Sequence, residues 1–271
     1  MGTIVSFHAH PDDEAIGTAG TLARAADAGH RVVLVFATRG ELGEPVPGVL
    51  GDGEQLAMRR SAECFTAARE IGAKRVEFLG WTDSGMMGEP ANDALYCFWQ
   101  ASVEHAARRL AVILDEEEPD VLTVYDDNGG YGHPDHVQVH RVGMRAAELS
   151  AVPVVAQGTI NRDWLAVGRR RLVASGQIDG AAAMPEPDAP NWGKPESEIT
   201  HKVEVVDVAD RKRAAMRAHA SQMGPDHPLL AMPEPMFLVG LGVEFYIVRP
   251  EPSPAAAPDV FLDLFTPLRP G

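Results

Sequence analysis

The 271-residue chain has only two cysteines, a deficit of basic residues and no long hydrophobic run, and each scarcity closes off a class of protein. Cys64 and Cys97 lack CxxC spacing and fall in helix-like or aromatic surroundings, so they read as buried thiols and not as a disulfide or a zinc pair. A reducing cytoplasm is the expected setting. Lys and Arg total 24 against 39 Asp and Glu, a formal net charge of −15. That balance opposes the electrostatic attraction on which nucleic-acid and anionic-membrane binding rest, and it favours small-molecule partners. No segment nears the roughly 18 apolar residues of a membrane span, and no basic-then-hydrophobic leader opens the sequence, so neither membrane insertion nor export is expected.

What is present fits a globular protein: 45% hydrophobic and 23% charged residues. The length suits one domain spanning 1–271 with elaborated loops. Buried-strand patterns at Thr3 to His8, Arg31 to Ala37, Arg75 to Leu79 and Asp120 to Tyr125 alternate with helical periodicity over Glu14 to Gly29, Gln55 to Ile71, Phe98 to Glu118 and His133 to Leu149. Such alternation predicts an α/β fold, a Rossmann-like and mostly parallel twisted sheet flanked by helices. Gly176 to Lys194 is rich in Gly, Ala and Pro and reads as a long loop, with 176–201 a candidate lid. Beyond it, Val203 to Val206 reads as a strand, Ala209 to Ser221 as a helix, Met236 to Val248 as a strand pair or bent strand, and 250–271 as a Pro-rich tail.

In open sheets of this kind ligands bind beyond the carboxyl ends of the strands, and the ionisable residues cluster there. HAHPDDEAIG (8 to 17) follows the first strand and YDDNGGYGHPDHVQVH (125 to 140) the fourth. An N-capping aspartate accounts for one acid after Pro11 but not for the second, nor for the histidines beside it. His10, Asp13 and His136 can meet as a two-histidine, one-carboxylate metal set with positions left open, which is the arrangement of catalytic and not structural sites. His8 suits a supporting hydrogen bond, and His140 a satisfied helical histidine. Met86, Met87 and Trp99 read as packing residues.

HPDD near the start and HPDH half way along resemble the LmbE-like (PIG-L) family of zinc-dependent N-acetylglucosaminyl deacetylases. TRGELGE (38 to 44), Arg60-Ser61-Ala62-Glu63, WTDSGM (81 to 86), GGYGHPDH (129 to 136) and HASQ (219 to 222) extend the resemblance over most of residues 3 to 222. It implies a hydrolase that removes an acetyl group from an N-acetylglucosamine-containing small molecule. His10, Asp13 and His136 would hold zinc, or ferrous iron through the same ligands, and Asp12 would be the general base. The resemblance further places Tyr131 and His133 on the oxyanion or leaving-group side, Asp135 as the group orienting His133, and Glu44, Arg60 and Asp83 on substrate hydroxyls. WTDSGM and GGYGHPDH are most similar to the members acting in mycothiol metabolism, either deacetylating N-acetylglucosaminyl-inositol or cleaving mycothiol S-conjugates. Deacetylases of natural-product glycosides share the same motifs, so the aglycone stays open, as does the oligomeric state.

Two rivals compete. A dinucleotide-binding oxidoreductase lacks its G-x-G-x-x-G, and three carboxylates occupy the turn where a pyrophosphate would sit. A binuclear metallohydrolase is suggested by the H-x-H-x-D pattern from His8 to Asp12, but its usual all-β framework is not what this chain predicts.

Overall fold

Strands whose residues are apolar on both sides need cover on both faces, and the computed structural model provides it. Residues 1–174, 176, 192–253 and 255–268 are described. Strands Thr3–His8 (β1), Arg31–Phe36 (β2), Arg75–Phe78 (β3), Val121–Tyr125 (β4), Val154–Thr159 (β5), His201–Glu204 (β6), Val243–Val248 (β7) and Thr266–Pro267 (β8) form one sheet in the order β3-β2-β1-β4-β5-β7-β6-β8. The first five in that order run parallel, and β7, β6 and β8 join through antiparallel pairings. Successive side chains alternate between faces. Ile4, Val32, Leu34 and Phe36 pack under helices Ala19–Asp27, Leu56–Ile71 and Ala209–Ala218, whereas Val5, Phe7, Val33 and Val35 pack under Val103–Glu117 and Pro134–Leu149. Both thiols are free and buried, as expected.

The chain leaves β1 for β2 and β3 on one side and reaches β4 and β5 on the other. The sheet's order therefore reverses between β1 and β4, and a crevice opens at their carboxyl ends. Both ionisable clusters begin there.

Strand β5 and a helix at Arg162–Ala174 lie where the sequence reading gave no element, and three segments it did read take another form. The first helix breaks at Thr18 (φ −137°) into Asp13–Gly17 and Ala19–Asp27, and the Thr18 hydroxyl lies 3.1 Å from His8 Nε2. The supposed strand pair from Met236 is instead a helix, Glu234–Leu241, followed by β7. Pro233 and Pro235 sit at its start, where a missing N–H has no partner to lose, and Gly242 separates the two elements. The tail is not merely Pro-rich: helix Asp259–Leu264 buries Val260, Phe261 and Leu264, and β8 pairs with β6. The candidate lid falls largely on 177–191, outside the described residues.

A buried ion pair ties the C-terminal strands to the N-terminal half. Lys212 Nζ lies 2.6 Å from Glu244 Oε1 on β7 with both side chains almost fully buried. Glu244 also accepts the backbone N–H groups of Gly20 and Thr21 and the Thr21 hydroxyl. Breaking a buried pair leaves an uncompensated charge, so Lys212→Met should destabilise by about 3–5 kcal/mol in urea unfolding. Adding Glu244→Gln should restore much of the loss. A single variant within about 1 kcal/mol of the parent would show that the pair does not anchor these strands.

Candidate metal centre

After β1 the chain turns through His10 and Pro11 into Asp12, whose φ of 116° lies in the left-handed region that residues with a Cβ avoid. Such a backbone costs on the order of 1–3 kcal/mol and persists only where its surroundings enforce it. Asp12 is the N-cap residue of helix Asp13–Gly17, yet its side chain makes no capping bond, so the capping explanation for this acid fails. Asp13 opens the helix and reaches back: its Oδ2 accepts the His10 N–H at 2.8 Å and lies 3.4 Å from His10 Nδ1, while Oδ1 lies 3.3 Å from His136 Nε2. One carboxylate thus spans the two histidines supplied by different strand ends.

The outer ring nitrogens are fixed as a metal site requires. His10 Nε2 faces Asp135 Oδ2 at 3.1 Å and Asp83 Oδ1 at 3.6 Å, and His136 Nδ1 donates to the Gly129 carbonyl at 3.2 Å. Each partner places the proton on the outer nitrogen and leaves a lone pair toward Asp13, on His10 Nδ1 and His136 Nε2. The ring of Tyr125 stacks on His136 at 4.4 Å. A Cβ on Gly129 would meet His136 Cβ at 2.6 Å, so glycine is what lets this loop approach. Burial alone would lower the His10 pKa, but hydrogen bonds accepted by the carboxylates of Asp13, Asp135 and Asp83 outweigh it and raise it well above the usual histidine value. Burial would likewise raise Asp13, yet the facing imidazoles of His136 and His10 hold it well below the carboxylate range. The nitrogen and oxygen donors gathered here suit a divalent transition metal.

His133 also brings a ring nitrogen within 4.8 Å of those of His10 and His136. Its Nδ1, however, accepts the Asp135 N–H at 3.1 Å as the N-cap of helix Pro134–Leu149, which leaves Nε2 carrying the proton. Burial, with the neighbouring His10 and His136, pulls its pKa down to about 4, so it is a neutral hydrogen-bond donor at pH 7. Burial raises the Tyr131 phenol, keeping it protonated. Asp12 is raised by burial to about 6 against the opposing guanidinium of Arg60. His10, Asp12, Asp13, Asp83, Arg60, Tyr131 and His133 all line one cavity of about 250 Å³.

Five of the residues read from the sequence have surroundings that the sequence did not show. Asp135 does not orient His133 through its carboxylate, which is buried against His10, the Ser84 N–H and the Ser84 hydroxyl; only its backbone amide reaches His133. Arg60 is a buried clamp, donating to the Gly40 carbonyl at 2.8 Å, the Pro11 carbonyl and Asp12 Oδ2 at 3.1 Å, and Gly40 has no Cβ because Arg60 would occupy its place. Asp83 sits beside His10 and also accepts the N–H groups of Leu42 and Gly85. Glu44 is exposed, and its neighbour Gly43 lines the cavity instead. Met86 is half exposed on the cavity wall and not a packing residue. His8 and His140 do stay out of the ligand set: His8 bonds Ser6 and Tyr125, and His140 the Tyr125 carbonyl. Ser84, Glu89 and Gln222 were not singled out; the WTDSGM and HASQ stretches around two of them were the available signal.

The family model PIG-L, GlcNAc-PI de-N-acetylase, matches residues 5–147. The 1D-myo-inositol 2-acetamido-2-deoxy-alpha-D-glucopyranoside deacetylase of Acidothermus cellulolyticus is 38% identical over 91% of this chain and 88% of its own. The like-named protein of Thermomonospora curvata is 38% identical over 94% and 93%. Among solved structures, the N,N'-diacetylchitobiose deacetylase from Pyrococcus horikoshii superimposes with a TM-score of 0.63 at 20% identity, covering 92% of this chain and 84% of that one, a likeness of fold.

Partners that fix ligand tautomers typically account for 10- to 100-fold in metal affinity. Asp135→Asn keeps the shape but weakens the acceptor for His10 Nε2, and chelator competition should report a metal Kd raised by about 10-fold or more. An unchanged Kd in the folded variant would remove Asp135 from the site.

Proposed function

The chain belongs to the PIG-L, GlcNAc-PI de-N-acetylase family, and from that premise we propose that it hydrolyses the acetamide of an N-acetylglucosaminyl-inositol, releasing acetate and a free amine. The observation that carries this reading is the carboxylate of Asp13 spanning His10 and His136 on the floor of a cavity whose walls bear an uncapped Asp12 and the donors Tyr131 and His133. The near-full-length likeness to the inositol glycoside deacetylases supports the sugar and its aglycone. Zinc is the metal proposed for His10, Asp13 and His136, and ferrous iron suits the same donors.

A divalent metal bound there supplies Lewis-acid polarisation of the amide carbonyl and a more acidic water. Asp12, with its pKa near neutral, takes the proton of the attacking water. The Tyr131 hydroxyl and the Nε2–H of neutral His133 donate to the carbonyl oxygen as it gains charge, each such donor being worth roughly 2.7–4 kcal/mol. His133 at neutral pH has no spare proton to give, so the leaving nitrogen takes its proton from Asp12. Arg60 clamps the turn and keeps Asp12 from rising further.

Acetate release from 1D-myo-inositol 2-acetamido-2-deoxy-α-D-glucopyranoside tests the substrate. Chelated enzyme should be inactive and recover with zinc, and metal-replete enzyme that leaves this glycoside intact while cleaving a mycothiol S-conjugate would transfer the assignment to the amidases. Asp12→Asn should lower kcat by about 10²-fold or more with metal content retained. Asp12 acts ionised, so kcat/KM should hold above about pH 6 and fall as pH drops through it. Arg60→Met removes the charge that opposes the rise, so that limb should move to higher pH; an unmoved limb would mean that Asp12 is not the group titrating.

A further inference from the structure

The HASQ stretch, His219 to Gln222, belongs to none of the steps above except through Gln222 on the cavity wall, yet its histidine is entirely buried. His219 Nε2 lies 2.6 Å from Glu14 Oε1, and both side chains are fully shielded from solvent. The other oxygen of the same carboxylate, Glu14 Oε2, accepts the backbone N–H of Asp12 at 2.9 Å. A line of hydrogen bonds thus runs from His219 through Glu14 to the peptide of the one residue in the site with a strained, left-handed backbone.

We propose that His219 and Glu14 are positioning residues for Asp12: the imidazole fixes the Glu14 carboxylate, which holds the Asp12 amide so that the base's side chain faces the cavity and does not fall back into a capping position. The inference rests on Asp12 being the base. Three observations bring it beyond ordinary packing. Asp12 at φ 116° needs a restraint on its N–H side, and Glu14 Oε2 supplies one. His219 Nδ1 has no hydrogen-bond partner, so the ring's polar capacity is spent on Glu14 alone, where an apolar side chain would fill the space without stranding a nitrogen. The rest of the segment is anchored independently, since the Ser221 N–H and hydroxyl both donate to Glu63, on the helix that carries Arg60. Arg60 grips the turn through the Pro11 carbonyl and the Asp12 carboxylate, and Glu14 grips it through the Asp12 amide.

His219→Leu removes the donor, and His219→Gln keeps an N–H at similar reach. With metal-replete full-length enzyme and the inositol glycoside, His219→Leu should lower kcat by about 10- to 100-fold, the scale of a misplaced catalytic group. KM and the metal Kd from chelator competition should stay within about twofold, because His10, Asp13 and His136 are held by other partners. His219→Gln should recover most of the lost kcat. A folded His219→Leu with kcat within about twofold of the parent overturns the proposal, as does a loss shared with metal affinity or not rescued by Gln. Should the Leu variant fail to fold, Glu14→Asp, whose shortened carboxylate cannot bridge both partners, should reproduce the drop in kcat at unchanged metal Kd, and wild-type kcat there overturns the proposal. Asp12→Asn run alongside separates the two ideas. An inactive Asp12→Asn beside an active His219→Leu sinks only the positioning role, and an active Asp12→Asn sinks the base itself.

Discussion

Carboxylates crowd one end of this sheet: Asp12, Asp13 and Glu14 follow β1, Asp83 follows β3 and Asp135 lies beyond β4, in a region largely closed to water. Burying like charges together is tolerable only when each finds a cation or a set of donors. Here the partners divide the acids into separate tasks. Asp135 and Asp83 face His10, Asp13 faces both histidines, Glu14 is matched by His219, and Asp12 has Arg60 alone. The acid with the least compensation is the one whose pKa rises into the range of a working base, and the one with the most is held ionised as a ligand should be.

That electrostatic arrangement depends on a topological fact, the pairing of β1 with β4 across more than a hundred residues of chain, with Ile4 opposite Val121 and Ser6 opposite Thr123. Much of this was legible. Unbroken runs such as RVVLVFA and DVLTVY declare buried parallel strands, and the two HPD turns mark where strands end. The antiparallel extension was less so, because MFLVGLG is as apolar as a strand and only the flanking prolines argue for a helix. In the tail, Val260, Phe261, Leu264 and Phe265 do fall at helical spacing, but over barely one turn and among prolines that dominate the composition, so the short covering helix is easily missed.

Within the site, spacing identified which residues carry chemistry but not which of them touch. His10, Asp13 and His136 do converge. Arg60 and Asp83 line the cavity and are also bound to the turn and to His10, contacts that nothing in a helix start or a loop reports. Glu14 and His219 are a pair separated by 205 positions, and no local pattern connects them. Sequence reasoning finds donors readily; partners at long range come only with the fold.

The two tetrads HPDD and HPDH, alike in their first three letters, show how one backbone angle can redistribute the same residues. In the second, His133 is the N-cap, Pro134 takes the first helical position, and Asp135 falls in the first turn, where its carboxylate points inward to His10 and Ser84. In the first, the helix starts two positions later, so that Asp12 is itself the N-cap and adopts φ 116°. The third residue of the tetrad is therefore a carboxylate buried against His10 in one case and a carboxylate lining the cavity in the other. The fourth residue is a metal-directed donor in both, Asp13 and His136, and these two meet at 3.3 Å. A turn that merely repeated would have buried both aspartates and left no carboxylate facing the cavity from this position. The strained backbone at Asp12, held between Arg60 on one side and Glu14 on the other, makes two similar helix starts asymmetric, and the proposed division between holding a cation and moving a proton rests on that difference.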